Sequence, residues 1–379
     1  MSRIDTASTP CYYYDMDLLR RTLDAVEECT AGTPVRMHYA VKANCQPEIM
    51  RVIAARGFGV DCVSGNEIAA ALECGFDPEK IYYAGVGKTD GEIKAGIEAG
   101  IGCFNIESLE EIDIISRIAA DMRRKVTVAL RVNPDIDAHT HEYITTGLKE
   151  NKFGIDMSLL DEAVAKVADA PALVLGGLHF HIGSQILDMG DFIALCNRVN
   201  ELQDRLEARQ IFVKHINVGG GLGIDYDHPN RQSIPDFKSY FSTYAGQLKL
   251  RPHQTLHFEL GRAVVGQCGT LISKVLYVKQ GVNKKFAILD AGMTDLIRPA
   301  LYQAHHKMEN LTSDETMQTY DVVGPICESS DVFGKAIDLN KVKRGDLIAL
   351  RSAGAYGEIM ASGYNCRELP KGYLSDEFV

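Results

Sequence analysis

The sequence predicts an α/β chain built on a closed (β/α)8 barrel, followed by a second, mainly β domain. Eight short apolar or β-branched runs alternate with helical stretches between residues 35 and 262. The polar residues with chemical potential gather where those runs end, as barrel enzymes require. Beyond about residue 268 the texture changes to strand-like runs separated by Gly and Asp turns.

The eight expected strands are Val35–Val41, Gly59–Val63, Ile81–Ala84, Gly102–Phe104, Val126–Val132, Leu173–Phe180, Val213–Val218 and Thr255–Phe258. A doubly wound open sheet would alternate in the same way. It would not, however, collect Lys42 after the first strand, His181 and Ser184 after the sixth, Gly219 to Gly221 after the seventh and Glu259, Gly261 and Arg262 at the end of the eighth. The second domain is expected from Thr270–Val278, Lys285–Leu289, Asp321–Val323 and Asp346–Leu350, and the aromatic run Cys11–Asp15 could add a strand to it. Residues 17–268 are therefore assigned to the barrel, and residues 1–16 with 269–379 to the β domain.

A chain of 379 residues with 46% hydrophobic and 24% charged residues has the globular mixture and can bury a large core. Its formal charge of -11 disfavours nucleic acid as a partner and favours small-molecule chemistry. The opening residues lack an apolar export segment and no run is long and apolar enough to span a membrane, so a cytoplasmic location is expected. Ten cysteines are dispersed without a CxxC pair, and nine read as ordinary reduced thiols.

Lys42 closes the apolar strand in MHYAVKAN, a setting that can desolvate the amine and favour Schiff-base chemistry, although most strand-end lysines simply reach solvent. His179 and His181 share one face of a strand and could instead bind a metal. Metal-dependent barrel hydrolases carry that HxH on the first strand with an Asp on the last, whereas here it lies on the sixth and the eighth ends in Glu259. His139 with His141, and His305 with His306, read as surface or core histidines. NVGGGLGI offers backbone N–H groups that could surround a phosphate, with Ser184 and Arg262 at neighbouring strand ends, or it is an ordinary tight turn. Glu259, in TLHFEL, needs a cation or a protonated ring, and a pyridinium nitrogen or Arg262 would each serve. Arg298 and Tyr302 share a face if DLIRPALYQ is helical, with Pro299 in its first turn.

These segments together resemble the diaminopimelate decarboxylases, members of the alanine racemase-like group of pyridoxal-phosphate enzymes. HYAVKAN, GLHFHIGSQ, NVGGGLGI, RPALY, GPICESSD and GAYGEIMASGYN stand in the family's order across nearly the whole chain. The resemblance implies that Lys42 links covalently to pyridoxal 5'-phosphate, His181 stacks on its ring and Glu259 pairs with the pyridine nitrogen. It further implies that Ser184, Gly221, Gly261, Arg262 and Tyr356 contact the cofactor. Arg262, Arg298, Tyr302, Glu328 and Tyr356 would contact substrate, and Cys327 would be the proton donor. A homodimer is implied in which Cys327 and Glu328 reach the opposite subunit's site, with no metal. One departure is visible, since the family's Glu-Pro-Gly-Arg reads Glu259-Leu260-Gly261-Arg262.

The implied reaction is decarboxylation of meso-2,6-diaminopimelate to L-lysine, the last step of lysine biosynthesis. That substrate's distal end carries both an ammonium and a carboxylate, which Glu328 and Arg298 could meet together. Ornithine or arginine decarboxylases are the near alternative, but ornithine decarboxylases carry Cys-Asp where Cys327-Glu328 stands. Carboxynorspermidine decarboxylase is a more distant one. A racemase of the group would place Arg against the pyridine nitrogen, and a non-catalytic pyridoxal-phosphate carrier could dispense with Cys327 and Glu328.

Overall fold

A computed structural model describes residues 8–136 and 152–378. His139 and His141 lie outside the described residues. The chain divides into two compact units, Leu23–Gly223 with Asp236–Gly261, and Met1–Thr22 with Ile224–Pro235 and Arg262–Val379. Among the described residues no helix is long and apolar enough to cross a membrane.

In chain order the first ten strands are β1 (Cys11–Tyr14), β2 (Val35–Ala40), β3 (Gly59–Cys62), β4 (Ile81–Tyr83), β5 (Cys103–Ile106), β6 (Val126–Asn133), β7 (Ile155–Asp156), β8 (Leu173–His179), β9 (His215–Asn217) and β10 (Thr255–Leu260). Eight of them follow the order β5-β4-β3-β2-β10-β9-β8-β6, all parallel, and a further β5–β6 pairing closes the barrel. All eight expected strands are present. Most of their Val, Ile and Leu side chains are buried, Val174 at 38% being an exception, because helices cover the outer face and side chains fill the inner one. The helices start where small polar residues satisfy orphan N–H groups. Ser64 accepts from Glu67 N, Ser108 from Glu111 N, and Thr89 forms a reciprocal capping box with Glu92. One aromatic cluster locks a helix to the barrel, with Phe258 of β10 meeting Phe241 at 4.9 Å and Tyr244 at 5.0 Å, both nearly edge-on.

The other unit carries β1 with β11 (Gly269–Gln280), β12 (Lys285–Leu289), β13 (Met308–Asn310), β14 (Met317–Val323), β15 (Val332–Asn340), β16 (Leu347–Leu350) and β17 (Lys371–Leu374). Its order is β13-β16-β11-β12-β14-β15, with β1 antiparallel to β11 and parallel to β17. The aromatic N-terminal run thus joins the β unit as expected. Cys11, Ile272, Leu347 and Ala349 form one core cluster there, and the Tyr12 hydroxyl donates to Asp295 O at 2.6 Å. Ile224–Pro235, inside the barrel's span in sequence, groups with this unit for a visible reason. Tyr226 accepts a hydrogen bond from Arg262, and Asn230 donates to Glu309.

At the N-terminal end of the barrel strands, His38 Nε2 lies 2.9 Å from His257 Nδ1, with the His215 ring 4.9 Å from that of His257. One proton suffices for the His38–His257 contact, and a second would set two N–H groups against each other. Burial holds His38 down to about 4 and His215 down to about 3, against 6.5 for an ordinary imidazole. The unfolded rings take up protons as pH falls through 6.5, whereas the folded ones resist until about 4. Stability should therefore be complete above the unfolded value and drain between these limits, on the order of 3 kcal/mol for His38 alone. Urea midpoints measured across that window test this. His215→Leu, at a ring whose Nε2 has no hydrogen-bond partner among the described residues, should flatten part of the slope.

Candidate active site

Lys42 sits in a single 3-10 turn, Val41–Ala43, directly after β2. Its Nζ lies 3.2 Å from Oδ2 of Asp61, a fully buried side chain on β3, while Lys42 itself keeps 39% of its side-chain surface. The apolar strand therefore desolvates the amine less than the sequence suggests. Burial and the charge of Glu259 push Asp61 up to about 7 against the pull of Lys42, so this carboxyl can hold or release a proton beside the amine near neutral pH. A Cβ at Gly261 would stand 2.9 Å from the Ala43 methyl, so the chain after β10 packs directly on the turn that carries Lys42.

Glu259, 5% exposed on β10, is the most strongly held group of the barrel mouth. Its Oε2 meets His179 Nε2 at 3.0 Å, and its Oε1 accepts from Asn217 Nδ2 at 2.7 Å and from Asn105 Nδ2 at 3.4 Å. Burial alone would raise its pKa, but the charge and hydrogen bond of His179, with the charge of Lys42, outweigh it and keep the carboxylate ionised well below the ordinary range. The HxH pair thus serves a carboxylate. Among the described residues no group of three His, Cys, Asp or Glu side chains could hold a metal ion.

Burial and the charges of Lys42 and Arg131 push His181 well below the usual imidazole value. Its Nδ1 accepts from Gly220 N–H at 3.3 Å, which leaves a neutral flat ring. The glycine run after β9 adopts left-handed backbone at Gly219 (φ 69°) and Gly221 (φ 104°), and a Cβ at Gly221 would lie 2.9 Å from Gly183 O. No helix opens on it, as expected from the proline-broken sequence that follows. A bridge between Ile186 and Leu222 laces this run to the loop bearing Ser184, so the two segments lie side by side. Arg131 and Glu107, paired at 2.7 Å and buried, stand at the same barrel end and went unread in the sequence.

In the β unit, Arg298–Tyr302 forms one helical turn with proline in its first positions, as expected. Arg262 donates to the Tyr226 hydroxyl at 2.6 Å and lies 4.9 Å over the Tyr356 ring. Arg298 lies 4.9 Å over the ring of the same Tyr226, and its Nη1 meets His306 Nε2 at 2.8 Å. His306 is a core histidine, one of the two readings the sequence allows, and it also accepts from Arg298. Cys327 and Glu328 are exposed, with Cys327 N–H donating to Asn365 Oδ1 at 3.1 Å and the Tyr364 hydroxyl donating to Glu328 at 2.8 Å. All ten cysteines are free.

Known proteins resemble this chain along its whole length. A family model described as the pyridoxal binding domain of pyridoxal-dependent decarboxylases matches residues 16–266. The diaminopimelate decarboxylase of Bacteroides thetaiotaomicron is 70% identical over 100% of this chain and 98% of its own. The chain belongs to the diaminopimelate decarboxylase family. A crystal structure of the Helicobacter pylori diaminopimelate decarboxylase complexed with L-lysine superposes with a TM-score of 0.94 at 38% identity, covering 99% of this chain and 94% of that one. An arginine decarboxylase from Paramecium bursaria Chlorella virus superposes with a TM-score of 0.86 at 18% identity, covering 97% of this chain and 96% of that one, and shares the fold alone. Members of this family depend on pyridoxal phosphate, and the barrel unit fits that group by its donor set. It offers an amine, an ionised buried carboxylate, a neutral flat imidazole and a glycine run whose close approach any Cβ would block.

The state of Glu259 can be read directly. Its carboxylate infrared band, assigned by difference against Glu259→Gln, should persist as pH falls through the ordinary carboxyl range near 4.3. His179→Leu should move its loss upward by roughly one unit or more. An unchanged band would remove His179 as the group that holds the charge.

Proposed function

We propose that the chain decarboxylates meso-2,6-diaminopimelate to L-lysine and CO2 with pyridoxal 5'-phosphate, the last step of lysine biosynthesis, as a cytoplasmic homodimer. The observation that carries this reading is Glu259, kept ionised by three buried donors at the same barrel mouth as Lys42. When bound, pyridoxal phosphate supplies the sink for the electron pair that departing CO2 leaves behind. The ionised Glu259 holds a proton on the ring nitrogen in place, which a racemase's arginine would not do. Lys42 is the covalent anchor, and Asp61 stabilises or takes up a proton at its amine. His181 would stack its neutral ring on the cofactor, and Ser184, Gly221, Gly261, Arg262 and Tyr356 would hold the phosphate and the near end of the substrate.

At the distal end, Arg298 with Tyr302 binds the carboxylate and Glu328 the ammonium, a pairing that a basic amino acid with one charged terminus would leave half-satisfied. Cys327 delivers the proton that replaces CO2. The exposure of Cys327 and Glu328 suits residues donated to a neighbouring copy.

Release of CO2 from meso-diaminopimelate, ornithine, arginine and lysine, each offered separately, tests the substrate. Strong turnover should appear with diaminopimelate only, and turnover of ornithine instead would overturn the assignment. Lys42→Ala should lose at least about a thousandfold in kcat and take no cofactor label on borohydride reduction.

The shared site has its own test. Mixing Lys42→Ala with Cys327→Ala, each inactive alone, should restore up to about a quarter of wild-type activity through heterodimers that assemble one intact site. No recovery after subunit exchange would place both residues in sites of one copy.

A further inference from the structure

Arg298 is 4% exposed, yet among the described residues it makes no ion pair and its Nε has no hydrogen-bond partner. A buried guanidinium is normally matched by a carboxylate, because leaving its charge uncompensated away from water is costly. Here every group that touches it is neutral or aromatic. The Tyr226 ring lies under its plane at 4.9 Å, and His306, fully buried, takes its Nη1–H at 2.8 Å. Tyr226 and His306 also meet each other, edge to face at 5.2 Å, so ring and imidazole form one corner around the guanidinium.

The hydrogen bonds of His306 determine its tautomer. Its Nδ1 lies 2.8 Å from the Arg351 carbonyl oxygen, which can only accept, so Nδ1 carries the hydrogen. Nε2 then presents a lone pair, and Arg298 donates into it. A second proton on the ring would point an N–H at a guanidinium, and burial with the Arg298 charge holds His306 down to about 3. The ring is neutral at any working pH. A carboxylate does lie close in the fold, on Glu309, but Arg351 engages it at 2.7 Å through Nε, and the same Arg351 supplies the carbonyl that orients His306.

We propose that His306 is a positioning residue for the distal carboxylate of the substrate: it aims Arg298 through an uncharged hydrogen bond and so leaves the guanidinium charge for the ligand. This rests on the assignment of Arg298 to that carboxylate made above. A carboxylate at position 306 would orient the arginine equally well and would cancel the charge the ligand needs. Tyr226 completes the device by covering the guanidinium face with a neutral ring.

The test uses the cofactor-loaded enzyme and two competing ligands, L-lysine, which keeps the carboxylate, and cadaverine, which lacks it. In His306→Gln, whose amide can accept from Arg298 and donate to Arg351 O, KM for meso-diaminopimelate and the lysine dissociation constant should stay within about threefold of wild type. In His306→Glu, of nearly the same size, both should rise roughly tenfold or more, with kcat within a fewfold, cofactor absorbance unchanged and cadaverine binding unchanged. His306→Leu should fall between them, and should it fail to fold, the Gln and Glu pair still decides. If His306→Glu binds lysine as wild type does, or loses cadaverine as strongly as lysine, His306 only packs the core and the proposal fails. If wild type itself binds lysine no better than cadaverine, the assignment of Arg298 fails instead.

Discussion

The barrel mouth depends on one buried negative charge. Glu259 lies on β10, and its donors come from β5, β8 and β9, so four of the eight strands must be in register before the carboxylate is satisfied. Asn105, Asn217 and His179 are all essentially inaccessible, so water cannot stand in for them. An ionised carboxylate without such partners would be expelled or protonated, which makes the closure of the barrel and the ionisation of the site a single event. Asn217 extends the constraint. Its Nδ2 donates to Glu259 while its Oδ1 accepts from Gly219 N–H at 2.9 Å, so one side chain fixes both the charge and the glycine run.

This network explains what could and could not be read from the sequence. Alternating apolar runs identified every barrel strand, because burial on both faces leaves a local compositional trace. Lys42 and Glu259 were visible as charged exceptions at strand ends, and Arg298 with Tyr302 through their helical spacing and Pro299. Asp61, Asn105 and Asn217 left no comparable trace. Asp61 and Asn105 are single polar residues inside apolar strands, Asn217 shares its three-residue strand with His215, and the partner lies 154 residues away for Asn105 and 42 for Asn217. Periodicity gives the face a residue occupies but not the register that decides whom it meets. For the same reason the HxH of β8 suggested a metal, since spacing alone cannot tell a cation from a carboxylate as the group it faces. Tyr226 and His306 were hidden differently, in an irregular loop and beside another histidine, where neither period applies.

Leu260 shows how a departure from the family pattern is absorbed. It is 1% exposed and pairs with Tyr39 of β2, extending the β10 ladder to the last residue before Gly261. A proline there would lack the N–H and would stiffen the turn through its fixed φ. Here the extended ladder and the tight contact of Gly261 with Ala43 supply that stiffness. The chain still leaves β10 in a defined direction before Arg262 opens the short helix Arg262–Val265.

The two units solve opposite electrostatic problems by the same rule. In the barrel the buried carboxylate of Glu259 stays ionised among side-chain donors from His179, Asn217 and Asn105. In the β unit Arg298 meets an acceptor without charge and an aromatic face, while the carboxylate of Glu309 is engaged by Arg351. A direct salt bridge would stabilise either group in the empty protein and would also neutralise it. Hydrogen bonds to amide and imidazole partners orient a buried charge at lower affinity, and the remaining attraction is available to the ligand. Sites of this kind are therefore less stable than their geometry allows, and the shortfall is the electrostatic pull that the ligand completes.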